Sequence, residues 1–229
     1  EQIHAGSDVI KLMATGGVMT PGVNPEDAHY TEEELRVGVD EGHRFHRTCA
    51  SHAQGAAGIL NAVRAGMDSI EHGIFMTQEC LEAMLEKGTY LVPTLAAVNN
   101  IYNNRDNGIP DFIVEKTIRV RERHHQSIKM FYEAGGKIAM GTDAGTPFNV
   151  HGDNSQELQF MVDLGISNSD ALSFSTGDAA DLMGLADRGQ ISEGYIADLL
   201  IVSGNPVEDI SVVANQKNHR RVIKNGALV

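Results

Sequence analysis

At 229 residues and 41% hydrophobic, the chain is long enough for one large domain or two small ones around a substantial core. A net charge of −13 with no offsetting basic patch argues against a nucleic-acid partner, and no run approaches the roughly 18 apolar residues of a membrane span. Two cysteines, Cys49 and Cys80, make no disulfide framework, so a reducing, cytoplasmic setting is the default expectation, with a secretory signal ahead of Glu1 left open.

Short apolar runs alternate with helical patterns, the signature of parallel βα units. The first run, VIKLM over Val9–Met13, reads as a buried strand that carries Lys11 in its middle and ends in a Thr-Gly-Gly turn. A helix over Thr31–His46 follows, opened by TEEE, a capping box with Thr31 as N-cap and Glu34 three residues on. The pattern then predicts strands at Thr48–His52, Ser69–His72, Tyr90–Pro93 and Lys137–Gly141. Helices are expected at Ala56–Ala65, Gln78–Lys87 and Ile113–Ala134. SQELQFMVDLG and SNSDALSFSTGDAADLMG add two or three more helices. From about Gly189 the chain turns β-rich, with Ser-Gly-Asn-Pro and Asn-Gly turn signals. The expected division is therefore an α/β body over 1–188 and appended strands over 189–229.

The C-terminal ends of the strands are where α/β folds place their working groups. Those ends carry Lys11, His52, His72 and Asp143. Each has an ordinary explanation by itself. The lysine snorkels or meets a carboxylate, His52 is a hydrogen-bonded histidine, His72 pairs at the surface with Glu71, and Asp143 caps a turn. Together they place four potential metal ligands at equivalent positions, which independent coincidence explains poorly.

With those residues in view, the chain resembles the metal-dependent amidohydrolase superfamily, in particular its imidazolonepropionase-like and Xaa-Pro dipeptidase (prolidase) branch. The segments that carry the likeness are GSDVIKLMATGGVMTPG, SHAQGAAGILNAVRAGMDSIEHG, MGTDAGTPFNVHGDNSQEL and ISEGYIADLLIVSGNPVEDI. The resemblance implies a (β/α)8 barrel of which strands four to eight are present, with the tail completing part of a small β-sandwich. It implies two divalent ions, with zinc suited to the ligands. Lys11, carboxylated by CO2, would bridge both ions; His52 and His72 would hold the more exposed one, and Asp143 the buried one. A bridging hydroxide would attack an amide of a dipeptide or N-acyl amino acid, with Asp143 moving the proton.

The family's His-x-His pair is absent from these residues, so the segment resembles the back portion of an enzyme. It is expected to need a preceding segment with that pair, about 110–140 residues upstream, a distance set by three βα units. Alone it is expected to be unstable, with an exposed sheet edge, and inactive. The whole protein is expected to be a homo-oligomer acting on a small molecule or dipeptide, away from nucleic acid and membranes. His151 and Tyr30 are candidate substrate contacts, Tyr30 for a substrate carboxylate. His124 and His125 are expected to be solvated, and the MATGGVMTPG loop to be a flexible part of a lid. The alternatives are a cyclic-amide hydrolase of the imidazolonepropionase type and a non-catalytic scaffold that keeps the fold. An open nucleotide-binding sheet lacks the strand–glycine–helix fingerprint.

Overall fold

The computed structural model describes Glu1–Val229, which divide into two compact units. The first is Glu1–Pro93 with Val98–Ile138, and the second is Thr94–Ala97 with Ala139–Val229.

In the first unit β1 (Val9–Met13), β2 (Thr48–Ala53), β3 (Ser69–His72) and β4 (Tyr90–Val92) form an all-parallel sheet in sequence order. Helices α1 (Glu32–Arg44), α2 (Ala56–Ala65) and α3 (Gln78–Lys87) make the crossovers. Each boundary has a local cause. Thr31 caps α1 as expected: its hydroxyl accepts from the Glu34 amide, and the Glu34 carboxylate accepts from the Thr31 amide at 2.8 Å. Thr77 caps α3 in the same sense. Gly66 and Gly88 end α2 and α3 at φ +98° and +67°, a left-handed turn that a side chain would strain. Leu35, Val39 and Gly42 form the buried stripe of α1, spaced for one helix face.

A fifth strand over Lys137–Gly141 does not form. Only one bridge, Leu91 to Ile138, and the bond from the Leu91 amide to the Lys137 carbonyl join that run to β4. Two residues on, the Met140 amide donates to the Phe174 carbonyl, on the side of the run away from β4. The structure also contains a helix the sequence pattern did not single out, α4 (Leu95–Asn103), followed by the long α5 (Asp111–Glu133). Val18, Ile74, Ile101, Ile109, Ile113 and Val120 form one apolar cluster of this unit.

The second unit holds α6 (Gln156–Asp163), α7 (Asn168–Phe174), α8 (Gly177–Leu182), β5 (Leu199–Val202), α9 (Ser211–Ala214), β6 (His219–Lys224) and β7 (Ala227–Leu228). The three strands form an antiparallel sheet in order β5-β6-β7, turned between β6 and β7 by Asn225-Gly226, both at positive φ. Ser155 donates to the Ala214 carbonyl at 3.1 Å, tying α6 to α9. Both cysteines are free and buried. No helix is long and apolar enough to cross a membrane.

Candidate functional site

Register decides which side chains meet. In the parallel sheet Lys11 pairs with Ala50 and Ala50 with Ser69; Met13 pairs with His52 and His52 with Glu71. Paired residues share a face, so Lys11, His52, Ser69 and Glu71 line one side. Leu12 lies on the other side, against Gly38 of α1.

Alternation along β3 would send His72 to the helix-covered face. Its φ of +73° breaks the strand geometry at that residue and turns the ring back. The His52 and His72 rings then meet edge to face with centroids 4.6 Å apart. Both are buried, and the ring of His52 also reaches the Gly16 carbonyl, Nε2 to O 3.0 Å. Burial first, then the proximity of His52, His124 and Lys11, holds His72 well below the usual histidine pKa. It is therefore held as the neutral imidazole.

The Lys11 side chain is 46% exposed among these residues, and its Nζ stands 3.6 Å from Glu71 Oε2. Glu71, set aside in the sequence as a surface partner of His72, is buried instead and faces Lys11. Its Oε1 accepts from Ser69 Oγ at 2.7 Å, while Oε2 is buried with no hydrogen bond. Imidazole nitrogens and a carboxylate on neighbouring strands are donor types that suit a borderline divalent ion. In the sequence, the signal for Glu71 was its two-residue spacing from Ser69 on the same face as His52.

His124 is also not solvated. It sits between Val120 and Ile128 at four-residue spacing on the buried stripe of α5, and is fully buried. Its Nε2 is 2.8 Å from the Pro93 carbonyl, and burial holds its pKa near 3 although that carbonyl and the His72 carbonyl favour the charged ring. The ring thus braces the ends of β3 and β4 from behind the site.

The loop after β1 is held rather than loose. Lys116 Nζ on α5 donates to the carbonyls of Thr20 and Val23, both at 2.7 Å, and of Gly17 at 3.4 Å. Tyr30, further on, is 46% exposed, and its carbonyl accepts from Asn61 Nδ2 at 2.9 Å.

Asp143 belongs to the second unit and is exposed, at φ +54°. Its carbonyl accepts from Asn149 Nδ2 at 3.1 Å and Thr146 Oγ1 at 3.2 Å, and Asn149 Nδ2 also donates to the Thr142 carbonyl at 2.6 Å. Asn149, buried, is what fixes this turn. In the same turn exposed His151 lies beside Gly145, 3.4 Å from where a β-carbon there would stand.

A separate cluster of His43, Cys49 and Asp68 has ligand atoms within 4.8 Å of one another, at the other ends of the strands. Asp68 Oδ2 is already spent on the Cys49 amide at 2.7 Å and on His43 at 2.8 Å. Burial and that carboxylate push the Cys49 thiol up to about 11, so it is a packed thiol and a poor metal ligand.

The amidohydrolase family model matches residues 1–229. An Aspergillus niger protein named ochratoxinase is 35% identical over 230 aligned residues, 99% of this chain and 47% of that one. The crystal structure of a Xaa-Pro dipeptidase with methionine bound in its active site superposes at TM-score 0.91 and 38% identity, over 100% of this chain and 56% of that one. A prolidase complexed with N-methylphosphonate-L-proline superposes at TM-score 0.91 and 31% identity, with 99% and 56% covered. The chain spans about half the length of the relatives it matches.

Proposed function

From the premise that the chain belongs to the amidohydrolase family, we propose that the protein hydrolyses the amide bond of dipeptides or N-acyl amino acids, with prolidase-like cleavage favoured. The observation that carries the reading is the edge-to-face meeting of His52 and His72 together with the Lys11–Glu71 ion pair, Lys11, His52 and Glu71 sharing one face of the sheet. The dipeptidase and prolidase structures at 38% and 31% identity support the substrate class.

His52, His72 and a carboxylated Lys11 would hold divalent ions here, and we assign Asp143 as a further ligand and the proton carrier. Bound ions would supply Lewis-acid polarisation and a more acidic water near neutral pH. The residues' own tasks are distinct. Neutral His72 would bind an ion without first losing a proton. Lys11 is oriented by its neighbour Glu71 from 3.6 Å. In the overall reaction water adds to the carbonyl carbon, the C–N bond breaks, and the departing nitrogen takes a proton. Asp143, held by its turn, is the group assigned to that transfer.

The test is made on the intact protein in bicarbonate-containing buffer. Elemental analysis is expected to give two divalent ions per chain. Xaa-Pro and Xaa-hydrophobic dipeptides are expected to be hydrolysed in preference to imidazolonepropionate. Lys11→Ala and His72→Asn are expected to lower both metal content and rate, and Asp143→Asn to lower the rate by at least about a hundredfold. Fewer than one ion per chain would favour the scaffold, and hydrolysis of imidazolonepropionate alone would favour the cyclic-amide reading.

A further inference from the structure

Lys11 and Lys129 lie against carboxylates. Lys116 does not. It is half-buried on α5 and spends its ammonium on the carbonyls of Thr20, Val23 and Gly17. An ammonium has three donors spreading from one point, and three converging carbonyls use all of them. The arrangement immobilises a long side chain without forming an ion pair. A plain loop latch would account for that much, so what the loop itself touches decides whether Lys116 does more.

The loop after β1 is a closed strap over residues 14–28. Its two limbs are joined by the Thr15–Ala28 bridge and by the Gly16 amide, which donates to the Asp27 carbonyl at 3.1 Å. A β-carbon at Gly16 would collide with the Asn24 carbonyl, so the limbs close only on a glycine. The strap lies against the ring of His52. The Gly16 carbonyl is 3.0 Å from His52 Nε2, and a β-carbon at Gly17 would stand 3.4 Å from Cε1 of that ring. A carbonyl only accepts, so Nε2 carries the proton in this contact, and the lone pair of the neutral ring is on Nδ1. Lys116 grips the strap at Gly17, the residue next to the one that sets this tautomer. Val18 packs with Ile113 and Val120 of α5, and Arg119 stands 3.6 Å from Glu26, so the helix follows the strap over about two turns.

We propose that Lys116 is a positioning residue for the candidate ion site. By holding the strap it keeps the Gly16 carbonyl on His52 Nε2, and so fixes the tautomer and the orientation of a ring that would hold an ion. This rests on the reading of His52 as an ion ligand and deepens it. A partner on the far nitrogen of a ligating histidine orients the ring, and losing such a partner costs about 10- to 100-fold in metal affinity. Lys116 acts one step further out, through the strap, so the lower end of that range applies.

The experiment uses the intact protein, isotope-labelled at the histidine ring nitrogens and stripped of metal, at one fixed pH. The nitrogen NMR shifts of His52 in the unaltered protein are expected to show a protonated Nε2 and an unprotonated Nδ1. In Lys116→Met the two shifts are expected to converge as the tautomers mix. The zinc dissociation constant, read by competition with a chelator, is expected to rise about tenfold in that variant. Lys116→Arg keeps the charge, but its planar fork cannot place three donors around one point, and it is expected to behave like the methionine variant. Slow amide exchange in β2 verifies that each variant is folded. An unprotonated Nε2 in the unaltered protein overturns the proposal, as do unchanged shifts or an unchanged zinc affinity in Lys116→Met. If zinc affinity depends on Lys116 but neither protein hydrolyses an amide, the positioning role stands and the hydrolase reading falls. If the unaltered protein binds no zinc, both fall.

Discussion

Glu157 on α6 is fully buried, and its two oxygens accept the amides of Leu95 and Ala96, each at 2.7 Å. It closes the N-terminus of α4 from about sixty residues along the chain. Burial pushes its pKa from 4.5 up to about 8, against the two amides, which pull it down. A folded-state value above the unfolded one means that between about pH 4.5 and 8 the folded chain holds a proton that the unfolded chain has lost. The corresponding stability is complete below about 4.5 and lost as pH rises through 8. His124 and His125 act in the opposite sense. Their folded values, about 3 and about 4, lie below 6.5, so their stabilisation is present above 6.5 and lost on acidification. The window from 6.5 to 8 isolates the glutamate. One proton over those 1.5 units is worth about 2 kcal/mol. Urea unfolding of the intact protein and of Glu157→Gln, run in half-unit steps across that window, reads it directly. The unaltered protein is expected to lose about 2 kcal/mol relative to the variant between pH 6.5 and 8. Groups common to both cancel in the difference. The variant should also be less stable at pH 6.5 by about 1–3 kcal/mol, because a glutamine oxygen can accept only one of the two amides well while its NH2 opposes the other. Parallel curves for the two proteins would refute the argument.

Thr31→Ala removes the hydroxyl that accepts the Glu34 amide and is expected to cost about 1 kcal/mol in chemical denaturation; no change would mean that the cap is idle. At Gly42 a β-carbon would stand 2.4 Å from Cys49 Sγ, so Gly42→Ala should destabilise by about 1–3 kcal/mol. Adding Cys49→Ala should recover part of that loss, and strictly additive effects would exclude the clash. Lys116→Met frees three carbonyls of the loop after β1, so amide exchange over residues 16–23 should speed up while that in β2 stays slow. Unchanged exchange in the loop would show that another contact holds it.

The sequence by itself determined the alternation of strands and helices, the parallel character of the first four strands, the cap at Thr31, and the β-rich tail with its turns. Each of these follows from periodicity or from backbone chemistry within a few residues. It also picked out Lys11, His52 and His72, because strand ends can be found by counting. What escaped it depended on partners distant along the chain. Helix α4 starts where Glu157, about sixty residues later, supplies its missing acceptors. The run after Gly136 keeps only a single bridge to β4, at Ile138. Burial was misjudged wherever a polar residue had its compensation elsewhere: His124 against the Pro93 carbonyl, and Glu71 against Ser69 and Lys11. The aim of His72 was likewise decided in three dimensions, by a backbone angle that strand alternation does not anticipate. Patterning fixes which face a residue belongs to, whereas the free energy of a buried polar group depends on which atoms fold against it.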